Sequence, residues 1–190
     1  ARHEDLPFGG TDVVELKLPA EDSVLEMAVS CLGYADWGAV ECTCLDCKVP
    51  QLKEHITSAV PFETIKQLGD VLTRMPTQNL PAYKALIAAT ECQHVEDALV
   101  LAEQLDEHIL SSAIASPEDV AAEELAVSLS KEDIKLIRPH INLHTYGQAL
   151  LASRNSIQTE YGLLERRDGQ PIQSIGQQKQ EPRMGEMELG

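Results

Sequence analysis

Cys42, Cys44 and Cys47 form a C-x-C-x-x-C cluster, with Cys31 upstream and His55 downstream. Three thiolates and one further donor amount to a zinc set. The spacing is not a pair of C-x-x-C knuckles, and no second knuckle follows. If residues 36–48 alternate as a strand, Cys42 and Cys44 share one face while Cys47 takes the other, which spoils convergence. The expectation is structural thiols, with no metal and no cofactor. Five cysteines, an odd number, and a start (ARHEDLPFGG) without the apolar core of a signal peptide suggest reduced thiols in a cytoplasm.

The six histidines offer less. His140 and His144 are four apart and can share a helix face, but no Glu follows His140 as a zinc-protease helix requires. His94 and Asp97 make an ordinary i, i+3 helix pair. The phosphate-loop, dinucleotide-binding and nucleophile-elbow motifs are all missing from the sequence. Catalysis sets a nucleophile or metal beside groups of shifted pKa in a cleft. No such set is legible, and the chain is not expected to be an enzyme.

Carboxylates are the group present in excess: the 190 residues carry 31 acids, 15 bases and a net charge of −16. Twelve of the acids lie between Glu91 and Asp133, against one base, Lys131. They are Glu91, Glu96, Asp97, Glu103, Asp106 and Glu107, then Glu118, Asp119, Glu123, Glu124, Glu132 and Asp133. That stretch sums to −11, whereas residues 49–90 and 134–190 are each near neutral at +1 and residues 1–48 carry −7. Such a balance argues against nucleic acid or an anionic membrane as a direct ligand, since both are polyanions. Aromatic residues, at 4%, are too few for a base-stacking surface. No apolar run approaches the ~20 residues of a membrane span. A basic partner remains, or a role in place of a nucleic acid; the plain alternative is a solvated face.

The elements that position these acids are mostly helical. Val95, Ala98, Leu101 or Ala102, Leu105 and Ile109 recur at helical spacing and predict one helix to about residue 110. Ser116-Pro117-Glu118-Asp119 reads as a helix start, and Ser130-Lys131-Glu132-Asp133 repeats the capping pattern. Earlier in the chain, residues 11–19 and 36–48 alternate as strands around a helix over 21–32 that Gly33 stops. Helices are predicted over 61–75, with Ile65, Leu68, Leu72 and Met75 on one face, and over 80–90. Later, Asn142 caps a helix, residues 157–166 read as a strand, and Asp168-Gly169 turns it into a second strand over 170–175. The class is α+β, an elongated chain of small units. These are a small αβ unit over 1–48, a helical, acidic unit over 49–133 and a C-terminal αβ unit over 134–175. A disordered tail is expected over 176–190.

Six acids over the roughly 30 Å of a helix from Glu91 to Leu110 give about one charge per 5 Å. One strand of B-form DNA carries one per ~3.4 Å. A single such helix is too dilute to imitate a duplex; several aligned across a homodimer come close.

The run VVELKLPA near the start, the Leu/Ala-rich helical middle, and INLHTYGQALL followed by TEYGLLERRDG resemble ArdA-type antirestriction proteins over about residues 12–172. Asn142, Tyr146, Gly147, Tyr161 and Gly162 stand at the positions that carry the likeness, and only the last third is specific. The resemblance implies an elongated, curved dimer of three small units per chain. It also implies acidic surfaces that imitate bent B-form DNA and occupy the DNA-binding channel of type I restriction-modification enzymes, at their methyltransferase core. Two features depart from the pattern: the acid is concentrated in the middle, and Arg166-Arg167 interrupts a matching motif. From residue chemistry alone, an aromatic followed by Gly is a helix end or strand bend with the ring packed inside. The competing class is an acidic adaptor, with zinc or free thiols, that docks a basic protein.

Overall fold

Helices form where the apolar period and caps agree. The computed structural model describes residues 13–180. In chain order the elements are α1 (Asp22–Cys31), α2 (Phe62–Arg74), α3 (Leu80–Ala89), α4 (Val95–Glu103) and β1 (His108–Ser111). They continue with α5 (Pro117–Ser128), α6 (Lys131–Ile137), α7 (Leu143–Arg154), β2 (Ile157–Thr159), β3 (Gly162–Arg166) and α8 (Ile175–Gln180). Helices with one small antiparallel sheet make the class α+β.

Two compact units divide the described chain: residues 13–76 with 93–99, and residues 77–92 with 100–180. The divisions expected at 48 and 133 fall inside these units, and α4 has its first five residues in one and its last four in the other.

In the first unit, α2 buries Ile65, Leu68 and Leu72, and α1 buries Leu25, Ala28 and Val29. Gly33 ends α1 as expected: at φ +77° it donates to Ser30 while Tyr34 donates to Val29, both carbonyls left over by the last turn. The two strands expected on either side of α1 do not form in the described residues. Residues 13–19 keep the alternation, with Val14, Leu16 and Leu18 half-buried and Glu15 and Lys17 exposed. They nevertheless pair with no strand among the described residues, and Leu18 lies against Gly69 of α2. Residues 36–48 hold one 3-10 turn (Trp37–Ala39) and a lone bridge from Thr43 to Thr57. Without each other as partner, neither segment completes a ladder. Val24, beside buried Leu25 on α1, is 43% exposed.

The second unit is built on the sheet β1-β3-β2, antiparallel throughout. Central β3 is covered on both faces. Leu163 packs with Ile114 and Val120, and with Leu150 and Leu151 of α7. Leu164, one residue on, points to the other face, and α3 touches all three strands. Three expectations change here. The helix expected to reach residue 110 stops at Glu103, and His108–Ser111 joins the sheet, so Ile109 is 41% exposed. The single strand expected over 157–166 is a hairpin turning at Glu160-Tyr161, with Thr159 opposite Gly162. Gly169 does turn the chain, at φ +72°, but no strand follows. Instead Ser174 and Gln177 cap each other's backbone N–H at the start of α8, which begins at the end of the expected strand and runs on through residue 180, into the stretch expected to be a tail. The rest of that tail, residues 181–190, lies outside the described residues.

At the end of α3, Glu91 adopts φ +53° and donates to Ala88, while Cys92 donates to Ile87. This is the Schellman arrangement, whose left-handed position glycine usually fills. Replacing Glu91 by Gly is expected to stabilise the fold by about 1 kcal/mol, because a side chain in that conformation costs about 1–2 kcal/mol. Urea midpoints at unchanged slope check it.

Candidate functional site

None of the twelve acids between Glu91 and Asp133 is buried. Six lie in the first turns of α4, α5 and α6, and two of these, Asp119 and Asp133, bond the capping serine. Ser116 accepts from the Asp119 N–H at 3.2 Å, and the Asp119 carboxylate accepts from the Ser116 hydroxyl and the Ala115 N–H. Ser130 and Asp133 repeat the hydroxyl-to-carboxylate bond at 2.7 Å. Glu118 lies in the same first turn as Asp119, where the exposed N–H groups favour negative charge.

Helix α5 divides its acids by face. Glu118 and Glu124 turn toward α7, where Glu118 meets His144 at 2.9 Å and Glu124 pairs with Arg154. Glu107 lies 3.9 Å from Arg166, which is held more closely by Asp168 at 2.6 Å. By contrast Glu91, Glu96, Glu103, Asp106, Glu123 and Glu132 are exposed and form no salt bridge among the described residues. Ten of the twelve belong to the second unit; Glu96 and Asp97 belong to the first. Sequence periodicity finds the acids but not their partners, because the pairs join residues 26 and 30 apart in the chain.

Ion pairs and caps pull several carboxyls below their ordinary pKa. For Asp22 the cause is the Lys66 ammonium at 2.7 Å; for Glu118, its own backbone N–H and then His144. For Asp119 it is the Ser116 hydroxyl and the Ala115 N–H, and for Asp168 the Arg166 guanidinium. A depressed folded pKa contributes stability that is fully present above the unfolded values, about 4. It is lost as pH falls through the lower folded values. The unfolding midpoint is therefore expected to drop as pH goes from about 4.5 toward 2, measured by urea titration across that range.

Three of the five motif residues have a visible place in the fold: Asn142, Gly147 and Gly162. Asn142 is the N-cap of α7, its side-chain oxygen accepting from the Thr145 N–H at 3.1 Å. Gly147 sits where α7 crosses α5: a Cβ there would lie 1.8 Å from the Pro117 carbonyl oxygen. Gly162, at φ +131°, lets β3 pass Ser111, where a Cβ would meet the carbonyl oxygen at 2.6 Å. Tyr146 is half-buried, and Lys84 lies over the Tyr161 ring at 5.9 Å.

The cysteine cluster differs from expectation in its backbone. Residues 42–47 are not a strand, so the opposed facing of Cys47 does not arise that way. Cys44 donates to the Asp46 carbonyl at 3.2 Å, and Cys47 accepts from the Val49 N–H. Burial pushes the thiols of Cys42, Cys44 and Cys47 up in pKa, toward the protonated form. Among the described residues no three His, Cys, Asp or Glu side chains are grouped to hold a metal ion. Among them, too, no helix is long and apolar enough to cross a membrane.

No protein-family model matches the chain, and no curated protein matches it either.

Proposed function

We propose that this chain is a non-enzymatic antirestriction protein that imitates B-form DNA and occupies the DNA-binding channel of a type I restriction-modification enzyme. One observation carries the reading furthest: a stretch of −11 contains no buried acid, and six of its carboxylates are exposed with neither a salt bridge nor a helix cap among the described residues. A surface meant only for solubility has no need to concentrate so much uncompensated charge, which repels itself. Helix α5 holds four acids along twelve residues, about 18 Å. Two of them pair with α7, so its outward charge is sparser than one phosphate per ~3.4 Å and the imitation needs acids from the other elements as well. The resemblance of the last third to ArdA-type proteins supplies the enzyme class.

Competition tests the reading. Titrating a type I methyltransferase core that holds labelled duplex DNA should release the DNA, with an affinity that falls steeply with salt. Binding without displacement places the chain among acidic adaptors instead, and no binding rejects both. A homodimer belongs to the same reading, because 18 Å of helix spans too little of a duplex groove. Two-fold dimers are the commonest way to extend such a surface. Sedimentation at micromolar concentration is expected to give a dimer; a monomer removes this part.

A further inference from the structure

A cavity of about 240 Å³ opens in the first unit between α1 and α2. Leu25 is buried against it, and Trp37 and Phe62 line it as a stacked pair with ring centroids 3.7 Å apart and planes 8° from parallel. Its other lining residues are Asp22 and Glu26 from α1, and Glu63 and Lys66 from α2. Lys66 is engaged with Asp22 at 2.7 Å and also feels Glu63. Glu26 and Glu63 are exposed and hold no salt bridge among the described residues, so the lining carries two negative charges in excess.

We propose that this cavity receives an arginine side chain of a basic protein partner. Its volume falls below the ~300 Å³ at which ordinary small-molecule pockets begin, which suits one inserted side chain. Aromatic faces attract a cation, Trp most strongly. A planar guanidinium stacks on rings and forks onto carboxylates, whereas an ammonium is compact and holds its water more tightly. An aromatic wall beside two exposed carboxylates that form no salt bridge matches the first better than the second. The idea rests on the reading of a basic partner, but the site lies outside residues 91–133 and is tested without the enzyme.

Trp37 is the only tryptophan of the chain, so its fluorescence reports this site alone. The probes are the N-acetyl amides of arginine, of its neutral analogue citrulline and of lysine. Arginine amide should change the emission saturably, with a half-saturation at least about fivefold below that of citrulline, the order of one exposed cation–π contact. The double variant Glu26→Gln with Glu63→Gln, folded by circular dichroism, should lose that preference. Equal responses to arginine and citrulline overturn the proposal, as does a preference that survives in the double variant. A stronger response to lysine overturns the choice of a guanidinium. Duplex displacement by the parent protein alongside a failed arginine titration rejects this site and leaves the antirestriction reading standing. Arginine binding without displacement does the reverse.

Discussion

Changing Glu91, Glu96, Glu103, Glu123 and Glu132 together to Gln is expected to raise the half-inhibitory concentration against a type I enzyme by about fivefold to several thousandfold. Exposed charges contribute about 0.2–1 kcal/mol each. Five independent sites add to about 1–5 kcal/mol, while each single change costs fivefold at most. The dependence of affinity on salt should flatten in step, because fewer charges face the basic channel. These five are exposed and hold neither a helix cap nor a salt bridge among the described residues, and Asp106 is a sixth acid of the same kind. Asp119 and Asp133 hold caps, and Glu107, Glu118 and Glu124 face Arg166, His144 and Arg154. Asp97 is left out because it has an interaction of its own. Removing five like charges should, if anything, relieve self-repulsion, so circular dichroism and the thermal midpoint serve as controls. A folded quintuple variant that inhibits like its parent makes these acids a solvated face.

How much of this was legible in the sequence depends on how local the cause is. Ser116, Ser130 and Asn142 act within three residues of themselves, and each caps the helix that its position announced. Helix α2 carries a strong apolar stripe and forms as expected. Strands depend on a partner elsewhere. Residues 13–19 alternate in burial as a strand would, yet form no ladder, because residues 36–48 turn away into a 3-10 turn. Ile109 fits the helical period of α4, but β3 offers a ladder to His108–Ser111 and the tertiary contact prevails. The hairpin at Glu160-Tyr161 went unread because its glycine, Gly162, falls just after the turn instead of within it. For the candidate site, the sequence yields the acids and their density. Which of them are spoken for is decided by α7, whose His144 and Arg154 lie more than 20 residues away.

Gly147→Ala is expected to be the most damaging single change to the second unit. The added carbon would stand 1.8 Å from the Pro117 carbonyl oxygen, 2.4 Å from its carbonyl carbon and 2.9 Å from its Cα. All three are backbone atoms, so no rotamer change makes room. Relief requires α7 to move off α5, which stretches Glu118–His144 and Glu124–Arg154 and opens the cluster of Ile114, Val120, Leu150 and Leu151. Overpacking of a tight contact costs typically about 1–3 kcal/mol, and a backbone clash this close belongs at or above the top of that range. Tyr146→Phe is the control: its ring is half-buried, no hydrogen bond of its hydroxyl occurs among the described residues, and a loss within about 1 kcal/mol is expected. Urea unfolding of both variants decides. A large loss for Gly147→Ala beside a small one for Tyr146→Phe makes the Tyr-Gly pair a requirement of helix crossing, so that it marks how this fold is built and leaves binding to the acids. Equal, small losses would mean that the crossing tolerates a methyl group, and the glycine would need a reason outside the fold.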